Sequence, residues 1–204
     1  VGGRRCVEIL LKAGADVNAV VGAHAYGSPL RDSVVVGGRR CVEILLKAGA
    51  DVNAVVGAHA YGSPLHEACN IPDPDTANHL SKLLLEHGAE VSRSNKYGQT
   101  PLVFAASQGH LDICKNLLER MGPDIEGRGG QLDRALYFAA RNGHEEIVDF
   151  LITAGAPLVP PDDVPSKRLT RKWKYMRFES KVEAAARERI LSKLAFAPSR
   201  SVFS

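Results

Sequence analysis

Histidine and cysteine are the side chains most able to do chemistry in this sequence, which holds 7 of the first and 4 of the second. His66 begins His-Glu and His144 begins His-Glu-Glu-Ile, but neither has a second histidine four residues on. Zinc hydrolysis of the H-E-x-x-H type needs two imidazoles on one helix face, so that arrangement is absent. Cys6, Cys41, Cys69 and Cys114 form no C-x-x-C pair, and no disulfide framework is implied. The glycine-rich stretch GRGGQ at 127–131 lacks the Lys and Ser/Thr of a phosphate-binding loop and follows no strand. No G-x-S-x-G nucleophile elbow occurs. The adjacent carboxylates Glu145 and Glu146 read most simply as a solvated helix face. The expectation is a protein that is not an enzyme, with no cofactor and no metal.

Composition is ordinary for a folded globular protein. The chain has 204 residues, 45% hydrophobic, 24% charged and 6% aromatic, which excludes disorder throughout and a collagen-like structure. No uninterrupted apolar run approaches the roughly 18 residues of a membrane span. Residue 1 is Val and no apolar signal segment follows it, although a leader could lie upstream. The net charge of +3 is unevenly placed. Residues 159–204 hold 11 Lys and Arg against 5 Asp and Glu, whereas residues 1–158 hold 15 against 18. All 19 glycines lie at or before Gly155. A glycine-punctuated, slightly acidic body is therefore joined to a basic tail without glycine.

The elements that position these groups come from a repeat. Residues 1–30 recur unchanged as 36–65, an offset of 35 that falls in the range of stacked repeat architectures. Such identity beside diverged neighbours points to a very recent duplication or a misassembled sequence. Two diverged copies follow at 97–126 and 132–158. The copy starting at Gly98 has Thr100, Pro101, Leu102, Ala105, Ala106, Gly109, His110, Ile113, Leu117 and Leu118 in register, and GADVN occurs at 14–18 and 49–53. On these blocks residues 1–158 resemble the ankyrin repeat. The residues also make sense without that likeness. Thr100 or Ser63 suits a helix N-cap, with Pro at the first helical position, where its missing N–H costs nothing. Ala105 and Ala106 allow close helix approach, Gly109 stops the first helix, and Ile113, Leu117 and Leu118 give a second helix one buried face. Gly49 and Gly88 end second helices. Each unit is too small to bury its own apolar face and depends on stacking.

The resemblance implies an all-α solenoid of stacked helix-turn-helix units with projecting hairpin-like loops. It places His66, His110 and His144 where histidine makes structural hydrogen bonds at turns. It also places Cys6 and Cys41 at the position of Ile113, Cys114 beside it, and Cys69 at an alanine position. All four cysteines are expected to be small buried core residues, in a reducing intracellular setting.

The copies are unequal. The first, 1–18, is a half repeat lacking its first helix, which suggests a piece of a longer chain whose upstream part could carry an enzyme domain. In the second, about 19–53, Arg31, Ser33 and Val34 replace His, Ala and Ala, so strain or loose packing is expected. In the third, about 54–91, four extra residues fall in NIPDPDTANH (70–79), where Pro72 and Pro74 predict a rigid loop. The fourth spans about 92–125. The fifth, about 126–158, has Arg134 and Ala135 in place of its cap and proline.

What remains for function is surface. The loops 19–27, 54–62, 92–99 and 126–132 are expected to project as fingers. The duplicated loop AVVGAHAYG is apolar for an exposed segment, with Val20, Val21 and Tyr26, then Val55, Val56 and Tyr61; His24 and His59 also lie in it. Either these valines fold back onto the helices or they meet another protein. The candidate contacts are completed by Arg93, Asn95, Tyr97 and Arg128. The resemblance adds that fingers and first helices form a concave, partner-binding face, and that Asn18 and Asn53 match an asparagine modified by hydroxylases in related repeats.

After a proline-rich linker, 159–166, the tail 167–204 places Lys167, Arg168, Arg171, Lys172, Lys174 and Arg177 among Trp173, Tyr175 and Phe178. From about 179 to 196, Val182, Ala185, Ala186, Ile190, Leu191 and Leu194 keep the spacing of an amphipathic helix. Three roles stay open: a cap on the last repeat, a nuclear-import or nucleic-acid contact, or an exposed segment for another partner or an acidic membrane. The expected whole is a monomeric, intracellular repeat stack, cytoplasmic or nuclear, that binds an unidentified protein. The alternative is a regulatory stack whose tail binds nucleic acid or directs nuclear import.

Overall fold

The computed structural model describes residues 2–19, 28–54, 62–122 and 128–156. Among these, every regular element is helical: α1 (Gly2–Lys12), α2 (Pro29–Val35), α3 (Arg39–Lys47), α4 (Pro64–Asn70), α5 (Pro74–Glu86), α6 (Pro101–Gln108), α7 (Leu111–Met121), α8 (Arg128–Asn142) and α9 (Glu145–Thr153). The pairs α2–α3, α4–α5, α6–α7 and α8–α9 each pack internally. First helices α2, α4, α6 and α8 then stack in one row, and second helices α1, α3, α5, α7 and α9 in another.

Local chemistry sets the helix boundaries. Pro29, Pro64 and Pro101 stand in the first turns of α2, α4 and α6, after Ser28, Ser63 and Thr100 in extended conformation. There proline loses no hydrogen bond and pre-sets φ. Gly109 ends α6 with φ +87°, a left-handed conformation that an L side chain rarely adopts. Between the rows lies one continuous core. Leu30, Leu65, Leu102 and Leu136 occupy the same place in successive first helices, and Leu45, Leu84, Leu117 and Leu151 in successive second helices; all eight are buried. Ala68, Ala105 and Ala139 are also fully buried, so small residues lie where the two rows meet. Burying each leucine contributes roughly 1.5–3 kcal/mol.

Four expectations need correction. The segment 70–79 is not mainly a loop. Asp73 caps α5 by accepting from Thr76 N at 2.9 Å, Pro74 is its first residue, and α5 reaches 13 residues against 9 in α3. The extra sequence thus lengthens a helix, because proline after an aspartate cap starts a helix rather than forbidding one. Residues 128–132 likewise belong to α8 and not to a finger. With Ala135 replacing the proline, the helix runs upstream to Arg128 despite Gly129 and Gly130.

The second unit is also better packed than its sequence suggests. Val34 is fully buried and Arg31 meets Glu67 of α4, with Arg31 Nε donating to Glu67 Oε1 at 3.0 Å. Finally, only Cys69 and Cys114 are buried; Cys41 is half-buried and Cys6 exposed. Cys6 lies on α1, which packs chiefly on α3 and has no paired first helix among the described residues.

Candidate protein-binding surface

Each junction between units is tied by side chains reaching backbone groups of a neighbour. His66 is the most buried of these. Its Nδ1 accepts from Ser63 N at 3.0 Å and lies 3.0 Å from Ser63 Oγ, while Nε2 stands 3.1 Å from Gln99 O in the next unit. A carbonyl can only accept, so Nε2 carries the proton and the ring is neutral. Burial lowers its pKa to about 4, against an opposing pull from the hydrogen bond to Gln99. His110 and His144, at the starts of α7 and α9, reach back along the chain instead, with Nε2 at 2.7 Å from Ile71 O and 3.0 Å from Ser107 O. These histidines fasten turns, and no group of His, Cys, Asp and Glu fit to hold a metal occurs among the described residues. Burial also pushes the Cys114 thiol up to about 12 and Cys69 well above its ordinary value, which leaves both thiols protonated and unreactive.

The asparagines after the second helices act alike. Asn18 accepts from Asp51 N at 2.8 Å and donates to Gly49 O at 3.4 Å. Asn53 accepts from Glu90 N at 2.9 Å and donates to Gly88 O at 3.1 Å. Both amide ends are committed to the following unit.

The finger at 95–99 is a closed turn. Asn95 N donates to Gln99 O at 2.8 Å, and Asn95 Oδ1 accepts from Tyr97 N at 2.9 Å and Gln99 N at 3.0 Å. Asn95, expected to meet a partner, is only 9% exposed and is engaged within its own turn. Its role is to shape the finger. Tyr97 is 55% exposed, with Lys96 Nζ 5.0 Å from its ring centre. Arg93 is partly exposed and donates to Glu90 Oε2 at 3.4 Å. Arg128 opens α8, and nothing further is described of it. Val20, Val21, His24, Tyr26, Val55, Val56, His59, Tyr61 and the basic tail lie outside the described residues.

Sequence reasoning missed Arg134. Its Nη1 donates to Tyr97 O at 2.9 Å and to Gly98 O at 2.6 Å, so it clamps the preceding finger from α8. The space over Gly98, at φ +68°, is filled by this guanidinium; a Cβ there would meet Nη1 at 2.4 Å. The visible signal was only a lost cap, and nothing local announces a contact 36 residues away. What the arrangement offers chemically is a stiff edge of the 95–99 finger and the first helices, with no acid–base pair or nucleophile assembled on it among the described residues.

Comparison with known proteins agrees with the architecture. A family profile described as "Ankyrin repeats (3 copies)" matches residues 33–128 and 65–162. The mouse protein "Ankyrin repeat domain-containing protein 63" is 34% identical over 85 residues, which is 42% of this chain and 22% of that protein. The rice "Probable E3 ubiquitin-protein ligase XBOS33" is 40% identical over 74 residues, 35% of this chain and 14% of that protein. The chain thus spans less than a quarter of either curated relative. Among solved structures, the human ASB11 ankyrin repeat domain matches at a TM-score of 0.68 and 23% identity, covering 97% of this chain and 81% of that one.

Proposed function

Because this chain belongs to the ankyrin-repeat family, we propose that it is a non-catalytic scaffold that holds a partner protein against its fingers and the exposed edge of its first helices. Ankyrin-repeat domains generally serve protein–protein interaction and are typically not enzymes. The observation that carries the reading is the fixed finger: Asn95 closes it from within and Arg134 ties it to the next unit. A surface already ordered loses little conformational entropy on binding, which favours rigid recognition. Arg93 and Tyr97 on this finger, and the apolar residues of 20–26 and 55–61, are the proposed contacts.

A second reading rests on the sequence of the tail, where Lys167 to Arg177 mix cations with aromatics. It gives the chain an attachment to nucleic acid or a nuclear-import signal, beside the scaffold role and within the cell. The two separate in one experiment. The immobilised full chain is presented with cell lysate treated with nuclease, at low and high salt. Wild type is compared with Arg93→Glu/Tyr97→Ala and with a tail whose Lys167, Arg168, Arg171 and Lys172 are changed to Gln. Retention at high salt that survives nuclease and falls with the finger variant is the expected result. Retention that nuclease or salt abolishes, and that follows only the tail, overturns the scaffold reading.

A further inference from the structure

We infer that the exposed edge of α8, with the neighbouring part of α6, docks an acidic protein segment bearing one large apolar side chain between two carboxylates. The inference rests on the protein-binding reading above and specifies the chemistry of the partner. Arg134, Phe138 and Arg141 stand four and then three residues apart on α8, so they share one helix face. Both arginines are exposed and Phe138 is half-buried between them. At 1.5 Å per residue the two arginines are about 10 Å apart along the axis. Phe104 holds the position of Phe138 on the adjacent helix α6 and is half-buried, its ring edge-on to His66 with centroids 5.7 Å apart.

Charge placement separates the two helices of this unit. α8 carries Arg128, Arg134 and Arg141 against Asp133, whereas α9 carries Glu145, Glu146 and Asp149 and no base. Glu67, the carboxylate of α4, is already engaged with Arg31. Arg134 is held in place by two finger carbonyls, so it loses little freedom when a ligand arrives. The same bonds join α8 to the finger, on which Lys96 is exposed.

The spacing fixes the complement. An extended strand advances about 3.3 Å per residue and turns alternate side chains to one face. Carboxylates four positions apart, about 13 Å, therefore lie on one side within reach of the two long arginine side chains, with the residue midway facing the same way. A side chain between them meets the phenylalanines. Rings already half-buried in the stack suit an aliphatic or aromatic side chain better than a stacked base, which needs an open ring face.

The test is fluorescence anisotropy with the full chain and a short fluorescein-labelled peptide carrying two glutamates four residues apart and a phenylalanine midway between them. The glutamate peptide is expected to bind at least about tenfold more tightly than its glutamine counterpart, and less tightly as salt rises. Arg141→Glu, at an exposed site, is expected to weaken it at least about tenfold with an unchanged thermal melt. Lys115→Glu on α7 is expected to leave binding unaltered. Equal binding of the glutamine peptide, indifference to Arg141→Glu, or tighter binding of a thymidine oligonucleotide overturns the inference. If proteins are still retained from lysate independently of Arg141, the scaffold reading survives and only this assignment of partner chemistry fails.

Discussion

Arg4–Lys12 of α1 and Arg39–Lys47 of α3 are the same nine residues, RRCVEILLK, and both are helical. Their surroundings differ. Leu10 is 58% exposed where Leu45 is 3%, and Val7 is half-buried where Val42 is fully buried. Polar partners change as well. In α1, Arg4 Nε bonds Glu8 of its own helix at 2.9 Å. In α3, Arg39 Nη2 reaches Thr76 Oγ1 of α5 at 2.9 Å, and Glu43 stands 3.7 Å from His79 Nε2, also on α5. Downstream contacts are alike, since Asn18 and Asn53 each bind the unit that follows them. The shared nine residues are helical in both places, yet Gly2 and Gly3 belong to α1 while the matching Gly37 and Gly38 precede α3. The neighbours therefore decide where the helix starts and what it buries and bonds.

The largest effect that could break this comparison is at the leucines. Leu45→Ala is expected to cost about 2–5 kcal/mol in urea unfolding, and Leu10→Ala less than about 0.5 kcal/mol. Equal costs would mean that the two helices share an environment. The next effect lies just past the end of the identity, where Arg31 and His66 occupy matching positions. His66 has a lowered folded pKa of about 4 and an unfolded value near 6.5, so its neutral form contributes stability at neutral pH. As pH falls from about 6.5 to about 4, that contribution, on the order of 3 kcal/mol, is lost. A variant His66→Gln should show a flatter melting-temperature profile across that window, read by circular dichroism.

Smaller effects sharpen the account. Asn18→Ala and Asn53→Ala should each cost about 1 kcal/mol and differ little, because both asparagines make the same two bonds. Smallest is the contrast of caps. Ser63 bonds the His66 ring, whereas Thr100 Oγ1 is buried without a partner. Ser63→Ala should cost about 1 kcal/mol, and Thr100→Val close to nothing or a slight gain, by thermal melts.

Much of the architecture was legible because proline, glycine and small apolar residues act locally. Pro64, Pro101 and Gly109 mark the same boundaries in sequence and structure. The misreadings have physical causes. Pro72 and Pro74 predict a rigid loop, yet Asp73 supplies the cap that makes Pro74 a helix start. Ala135 was noted as a lost proline without its consequence, that the helix extends upstream to Arg128. Asn95 read as a contact because it is polar and lies in a finger, but its amide closes the turn. Arg31–Glu67 and Arg134–Gly98 join residues 36 apart in sequence, and no local pattern encodes such pairs.

Amide hydrogen exchange of the full chain, followed residue by residue by NMR, tests most directly whether neighbours create the ordered surface. The account predicts that Leu45 and Leu46 of α3, and Gly98 and Gln99 of the finger, exchange orders of magnitude more slowly than Leu10 and Leu11 of α1. Equal protection in α1 and α3, or exchange of the 95–99 turn at the unfolded-chain rate, would contradict it.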